Sequence, residues 1–276
     1  MGQAAGTRGA AGGCAYFLVA HGSPDPRPGG AIARLATVLG GSLATVRTAC
    51  EGGELVGHGA LECVSVPLAE QLGEFGRRAA AAGRSRVKVV PLFLQAGVHA
   101  RQDVPAAVAA ARSPVELEVL DPVGLHPAFG GAIARWVAAI RATEGDVEKS
   151  QPLMVLAHGS RRAGGNGPVE AIAAQVGAIA AYWTVEPGWR GRAMALAQGA
   201  AGGRCDRAIV LPYFLFAGSL TDAIAEALAD WNRAGRGPQL RLGSAIAATE
   251  DGIEALAQVI REMVQPPPET APNPKI

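Results

Sequence analysis

Three residues in the first half of this 276-residue chain are of types that hold divalent cations and move protons: His21, Glu62 and His99. A neutral imidazole is a good ligand for cobalt, iron, nickel or zinc and also accepts a proton, so a pair of them serves either task. A carboxylate beside them completes a three-donor set that leaves positions open, the arrangement of a reactive metal site rather than a closed structural one. Each residue also has a plainer reading. A lone histidine after a strand is more often a structural hydrogen-bonding group, and Glu62 equally suits a solvated carboxylate at a strand end.

The elements that would bring these residues together decide between the readings. Ala15 to Ala20 is an apolar run that stops at His21-Gly22-Ser23, and Val89 to Leu94 is a second such run, bounded by Gly97, that stops just before His99. Short β-branched and apolar runs of this kind read as buried parallel strands. Asp103 with Pro105 then opens a helix. Both histidines therefore follow the carboxyl end of a strand, the rim of an open α/β sheet where ligands bind. Between them, a Gly-rich strand ends near Leu61-Glu62, and Pro67 opens a helix that Gly83 stops. A strand from Val115 to Leu120 and a helix from about Pro127 to Arg141 complete the alternation, which predicts a four-stranded parallel sheet with helices on both faces. The first helix is expected from about Ala31, after a Pro/Gly-rich loop from Pro24 to Gly30.

Composition narrows the function classes. A net charge of +1 with mixed signs offers no nucleic-acid surface and no polybasic membrane contact. No apolar run reaches the roughly 18 residues that span a bilayer, and the Gly/Ala-rich opening lacks the order of a signal peptide. Cys14, Cys50, Cys63 and Cys205 have no C-x-x-C spacing, which fits a reduced cytoplasmic protein without disulfides. The expected partner is a small molecule.

The strongest signal is an internal repeat. Leu156-Ala157-His158-Gly159-Ser160 repeats Val19-Ala20-His21-Gly22-Ser23, and Val210-Leu211-Pro212-Tyr213-Phe214-Leu215 repeats Val89-Val90-Pro91-Leu92-Phe93-Leu94. Laying Pro212 on Pro91 without a gap puts Leu220 on His99 and Trp183 on Glu62. Apolar residues at both positions bind no cation, so the first copy carries the chemistry and the second keeps the fold. Expected boundaries are residues 14–143 for the first domain and 152–264 for the second, with a polar linker between them and disordered tails at 1–13 and 265–276. The second copy is shorter between its first strand and second strand, which places the deletion in its first helix and link.

On these residues the chain resembles the class II tetrapyrrole chelatases, specifically the CbiX-type sirohydrochlorin cobaltochelatases and ferrochelatases in their two-domain form. The resemblance runs from about Cys14 to Met263. It rests on Ala20-His21-Gly22-Ser23, Leu61-Glu62, Pro91-Leu92-Phe93-Leu94 with Gly97, His99, Asp103 and Pro105, and Leu125-His126-Pro127. Pro24-Asp25-Pro26 departs from the family pattern. The resemblance implies two tandem chelatase-like α/β domains and insertion of cobalt, or iron, into sirohydrochlorin during cobalamin or sirohaem synthesis, with the metal as substrate and no cofactor. His21, His99 and Glu62 would bind the metal and take the pyrrole protons. Gly22 and Ser23, through backbone N–H groups, and Arg101 would contact the ring's carboxylates. The pseudo-dimeric halves point to a monomer. Asp103 reads as a helix cap, His126 as a cap before Pro127, His158 as a structural histidine, and His58 has no evident partner. A tetrapyrrole or metal carrier of the same fold is the alternative from another class. A phosphate-ester enzyme using His21 as nucleophile is disfavoured, because Gly22 stands where such an enzyme has arginine.

Overall fold

The computed structural model describes residues 14–46, 55–142, 151–198 and 205–265. Its first lobe runs β1 (Cys14–Ala20), α1 (Pro26–Val46), β2 (Val56–Ala60), α2 (Leu68–Ala81), β3 (Arg86–Pro91), α3 (Val104–Ala110), β4 (Glu116–Val119) and α4 (Phe129–Ala142). The second repeats it as β5 (Leu153–Ala157), α5 (Gly167–Gln175), β6 (Ala178–Tyr182), α6 (Trp189–Ala197), β7 (Arg207–Pro212), α7 (Ser219–Ala234), β8 (Gln239–Leu242) and α8 (Glu250–Val264). The two sheets are parallel throughout, with strand orders β2-β1-β3-β4 and β6-β5-β7-β8. The expected fold class is therefore observed, a pair of tandem four-stranded α/β lobes.

Alternation along β1 explains why its sequence is apolar without a break. Tyr16, Leu18 and Ala20 point into a core shared by both lobes, while Ala15, Phe17 and Val19 point into a second core under α2 and α3. The shared core also holds Leu35 and Leu39 of α1, Trp136 of α4 and Leu256 and Ile260 of α8, all fully buried. Each such aliphatic side chain contributes about 1.5–3 kcal/mol on leaving water, so the lobes are fused by a common interior rather than merely tethered. The Gly-rich second strand has a packing reason as well. A Cβ on Gly57 would lie 2.5 Å from the Phe75 ring, and one on Gly59 would lie 2.0 Å from the Gln71 side chain.

The sequence reading of α1 needs correction. The helix begins at Pro26, not near Ala31, so the Pro/Gly run is its first turn. Pro26 and Pro28 sit where the missing N–H has no partner to lose. The shortening of the second copy falls where expected, in α5 with 9 residues against the 21 of α1. The expected tails and linker lie outside the described residues, apart from Gln151, Pro152 and Gln265. Among the described residues, no helix is long and apolar enough to cross a membrane.

Candidate functional site

In the first sheet the chain leaves β1 toward β2 on one side and reaches β3 on the other. The carboxyl edge at that reversal is where an open α/β sheet forms its crevice. His21 follows β1, Glu62 follows β2, and His99 follows β3. Their donor atoms all lie within 4.8 Å of one another, and they are the sole such group among the described residues.

Each residue is positioned by its own local structure. His21 and Glu62 are tied by their backbones, with the Glu62 N–H donating to the His21 carbonyl at 2.8 Å. Gly22 makes that approach possible, since its φ is +100° and a Cβ there would stand 1.9 Å from the Glu62 carbonyl oxygen. Its role is therefore close backbone packing. β2 is an edge strand, and the side chain of Gln71 caps its end by donating to the carbonyls of Ala60 at 2.9 Å and Val66 at 2.7 Å and accepting from the Ala60 N–H. That clamp holds both ends of the turn bearing Glu62. Cys63, next in the chain, takes a left-handed φ of 56°, the kind of strain that gathers at functional loops.

His99 opens a π-helical turn, His99–Asp103, ahead of α3. Pro105 has no N–H for the Arg101 carbonyl, and the Val104 N–H reaches back to His99 instead. The wide turn sets Asp103 under His99, and the His99 Nδ1–H donates to Asp103 Oδ2 at 2.7 Å. Asp103 thus corrects the helix-cap reading, because it makes no cap hydrogen bond and holds the imidazole. The i, i+4 spacing in sequence was the available signal.

The hydrogen bonds at Nδ1 decide the chemistry. His21 Nδ1 faces the Gly22 carbonyl at 3.2 Å, and a carbonyl only accepts. Both Nδ1 atoms therefore carry the proton, and both Nε2 atoms present lone pairs. Those two Nε2 atoms stand 3.2 Å apart, with the rings edge to face. Facing lone pairs repel unless a cation, proton or metal, lies between them. Two donors on one first-row ion at about 2.1 Å stand about 3.0 Å apart at a right angle and about 3.4 Å apart in a tetrahedron, which brackets the observed distance. Glu62 Oε2 lies 3.9 Å from His21 Nε2. The side chains are half exposed, so the ion position is open to a large planar partner. Phe93 stacks against His99, with ring centroids 6.4 Å apart.

The other expected residues are placed as follows. Ser23 accepts from the Asp25 N–H at 3.1 Å through Oγ, and Arg101 is exposed within the π turn. His126 accepts from the Ala128 N–H at the start of α4, as a cap. His58 lies on edge strand β2, where burial lowers the pKa of its ring. Sequence reasoning did not find Arg27, which pairs with Asp25 of its own turn and reaches across to Asp222 of α7. Both carboxyls are held below their ordinary range by hydrogen bonds from Arg27.

The second lobe keeps the frame of this site and one of its three donors, His158 in the place of His21. His158 faces the Gly159 carbonyl at 3.2 Å, and Gly159 has φ +93°, as at His21 and Gly22. Leu220 stands where His99 does, since the Asp222 N–H bonds Gly218 as the Arg101 N–H bonds Gly97. The counterpart of Glu62, however, is Thr184 rather than Trp183. The Thr184 N–H donates to the His158 carbonyl, whereas Trp183 matches Leu61 and stacks on Trp189. The ungapped register is off by one residue at that strand end, but no carboxylate replaces the one lost.

Comparison with known proteins gives a consistent picture. The CbiX family pattern matches residues 15–139 and again residues 152–263, once per lobe. No curated protein sequence matches the chain significantly. Among solved structures, SirB from Bacillus subtilis with Fe3+ superposes with a TM-score of 0.68 at 19% identity, over 91% of this chain and 95% of that one. CbiX, described as the terminal enzyme for biosynthesis of siroheme in denitrifying bacteria, gives 0.61 at 22% identity, over 91% and 100%. DR2241 from Deinococcus radiodurans, a multi-domain protein with structural similarity to chelatases, gives 0.61 at 21% identity, over 91% and 55%.

Proposed function

The chain belongs to the CbiX family, and from that premise we propose that it inserts a divalent metal ion, cobalt or alternatively iron, into sirohydrochlorin in cobalamin or sirohaem synthesis. The observation that carries this reading is the convergence of two Nε2 lone pairs, 3.2 Å apart, beside a carboxylate on one open rim. Metallation requires an ion to be held partly desolvated, passed to four ring nitrogens, and exchanged for two pyrrole protons. His21, His99 and Glu62 hold the ion. As it moves to the ring, the donors it leaves are bases beside the pyrrole N–H groups, and two of them take the two protons, so charge balances. Asp103 keeps the His99 proton on Nδ1 throughout. Gly22 and Ser23, through backbone N–H groups, and the Arg101 guanidinium receive ring carboxylates at the mouth. The reaction needs no further cofactor, and one chain supplies both lobes, so a monomer suffices in the cytoplasm.

The test is spectroscopic. Under anaerobic conditions, Co2+ or Fe2+ added to sirohydrochlorin with the protein should change the ring absorbance faster than without it. Binding of the ring with no rise in rate would instead identify a carrier.

A further inference from the structure

Of the three donors that converge on the rim, Glu62 is the one whose side chain has no second partner. His99 has Asp103 behind it and His21 has the Gly22 carbonyl, but the Glu62 carboxylate has only His21 within ion-pair reach, at 3.9 Å, among the described residues. Its place must therefore come from the main chain that carries it. Burial does not hold that chain, because every residue from Glu62 to Pro67 is exposed, Val64 and Val66 by 49% and 44%. An exposed turn with few apolar contacts opens at low cost unless hydrogen bonds close it.

One carboxamide closes this turn. The Leu61 N–H points to Ala20 of β1, so both main-chain groups of Ala60 point off the open edge of the sheet. Gln71 meets both, accepting from the Ala60 N–H at 3.2 Å and donating to the Ala60 carbonyl at 2.9 Å, as a neighbouring strand would. The same Nε2 donates to the Val66 carbonyl at 2.7 Å and so joins the two ends of the turn. Gln71 is itself fixed, since α2 is anchored by the buried Leu68 and Leu72, and Gly59 leaves the space that its amide fills.

The second lobe supplies the comparison. Arg192 stands in the place of Gln71, its N–H bonding the Gly188 carbonyl as that of Gln71 bonds the Pro67 carbonyl. The Arg192 Nε is buried without a hydrogen-bond partner, and a main-chain bridge between Tyr182 and Gly188 closes the turn instead. That turn carries Thr184 and no carboxylate. The side-chain clamp accompanies the carboxylate donor and is absent where the donor is lost.

We propose that Gln71 is a positioning residue of the metal site: by fixing the turn from Ala60 to Val66 it sets Glu62 as the third donor, while the two imidazoles are held independently of it. This rests on the metal-insertion reading above for the identity of the ion and deepens it by naming what keeps the carboxylate in place.

Gln71→Met tests it, since the side chain keeps its length and loses its hydrogen bonds. In the full-length protein without the ring, the Co2+ Kd should rise about tenfold, the low end of the loss that follows removal of a group supporting a metal ligand. The visible spectrum of the bound Co2+ should shift to that of Glu62→Ala. In a Glu62→Ala background, Gln71→Met should change the Kd by less than twofold, because the carboxylate it positions is gone. Gln71→Glu puts acceptors against both carbonyls and should give the same pattern, which keeps the test if Gln71→Met fails to fold. Co2+ binding is read without sirohydrochlorin, so a wild type that binds Co2+ but inserts none would overturn the insertion reading and leave this one standing. A Kd within twofold of wild type for both Gln71 variants would overturn the proposal. So would a tenfold loss that persists in Glu62→Ala, by showing that the clamp supports the lobe rather than the carboxylate.

Discussion

Replacing Asp103 by asparagine removes one negative charge from behind His99 and changes little else in size. The carboxylate oxygen lies 2.7 Å from Nδ1, and the ion is expected one imidazole ring and one metal–nitrogen bond further, roughly 6 Å from the charge. A unit charge facing a dication at that distance is worth about 1.4 kcal/mol in fully screened water and about 5.5 kcal/mol at an effective dielectric of 20. His99 and Asp103 are 38% and 45% exposed, which favours the lower part of that range. Loss of a carboxylate that orients a metal-bound histidine typically costs 10- to 100-fold in affinity, or about 1.4–2.7 kcal/mol, in agreement. Asp103→Asn should therefore raise the Co2+ dissociation constant 10- to 100-fold in competition with a chromogenic chelator at fixed pH. Nitrogen NMR of the same variant should show a mixed His99 tautomer in place of a single Nδ1–H form. A dissociation constant within twofold of wild type would refute the reasoning, because Asp103 would then be only a surface contact.

Other substitutions separate site from scaffold. His99→Ala should abolish metal insertion while Leu220→Ala changes the rate by less than twofold; equal losses would mean that both lobes work. Gly22→Ala should drive the His21 and Glu62 turns apart, costing about 1–3 kcal/mol for its backbone angle alone, read as a lowered Tm together with loss of Co2+ binding. For the bridge between lobes, Asp25 and Asp222 have lowered folded pKa values, so their contribution is complete above the ordinary carboxylate range and is lost as the pH falls through those lowered values. Asp222→Asn should melt below wild type at pH 7, and the two melting curves should draw together as the pH falls below the ordinary carboxylate range; a gap independent of pH would assign the loss to something other than the Arg27 pair.

Much of this was legible in the sequence because it depends on local pattern. Apolar runs ending in His21 and before His99 mark strands of a sheet buried on both faces, and the repeat of both blocks fixed which histidine had lost its partner. Features that depend on packing between elements were less accessible. The register that pairs Thr184 with the His158 carbonyl is set by hydrogen bonds between β5 and β6, and an ungapped alignment cannot see a one-residue shift there. Pro26 and Pro28 looked like a loop because proline breaks helix interiors, yet a first turn tolerates them. Asp103 stood at helical spacing from His99, but its choice between capping α3 and holding the imidazole follows from the π turn, which single-residue propensity does not encode. Arg27 and Asp222 are 195 residues apart, and their pairing across α1 and α7 exists only once the two lobes are packed together.

The convergence of His21 and His99 on a single ion is the point on which the rest stands, and X-ray absorption at the cobalt edge of the Co2+-loaded protein reads it directly. One cobalt per chain, bound by two imidazole nitrogens and at least one oxygen at about 2.0–2.2 Å, is the expected result, with the imidazole signal falling by half in His99→Ala. Cobalt without imidazole in its shell, or an imidazole signal that His99→Ala leaves intact, would contradict it.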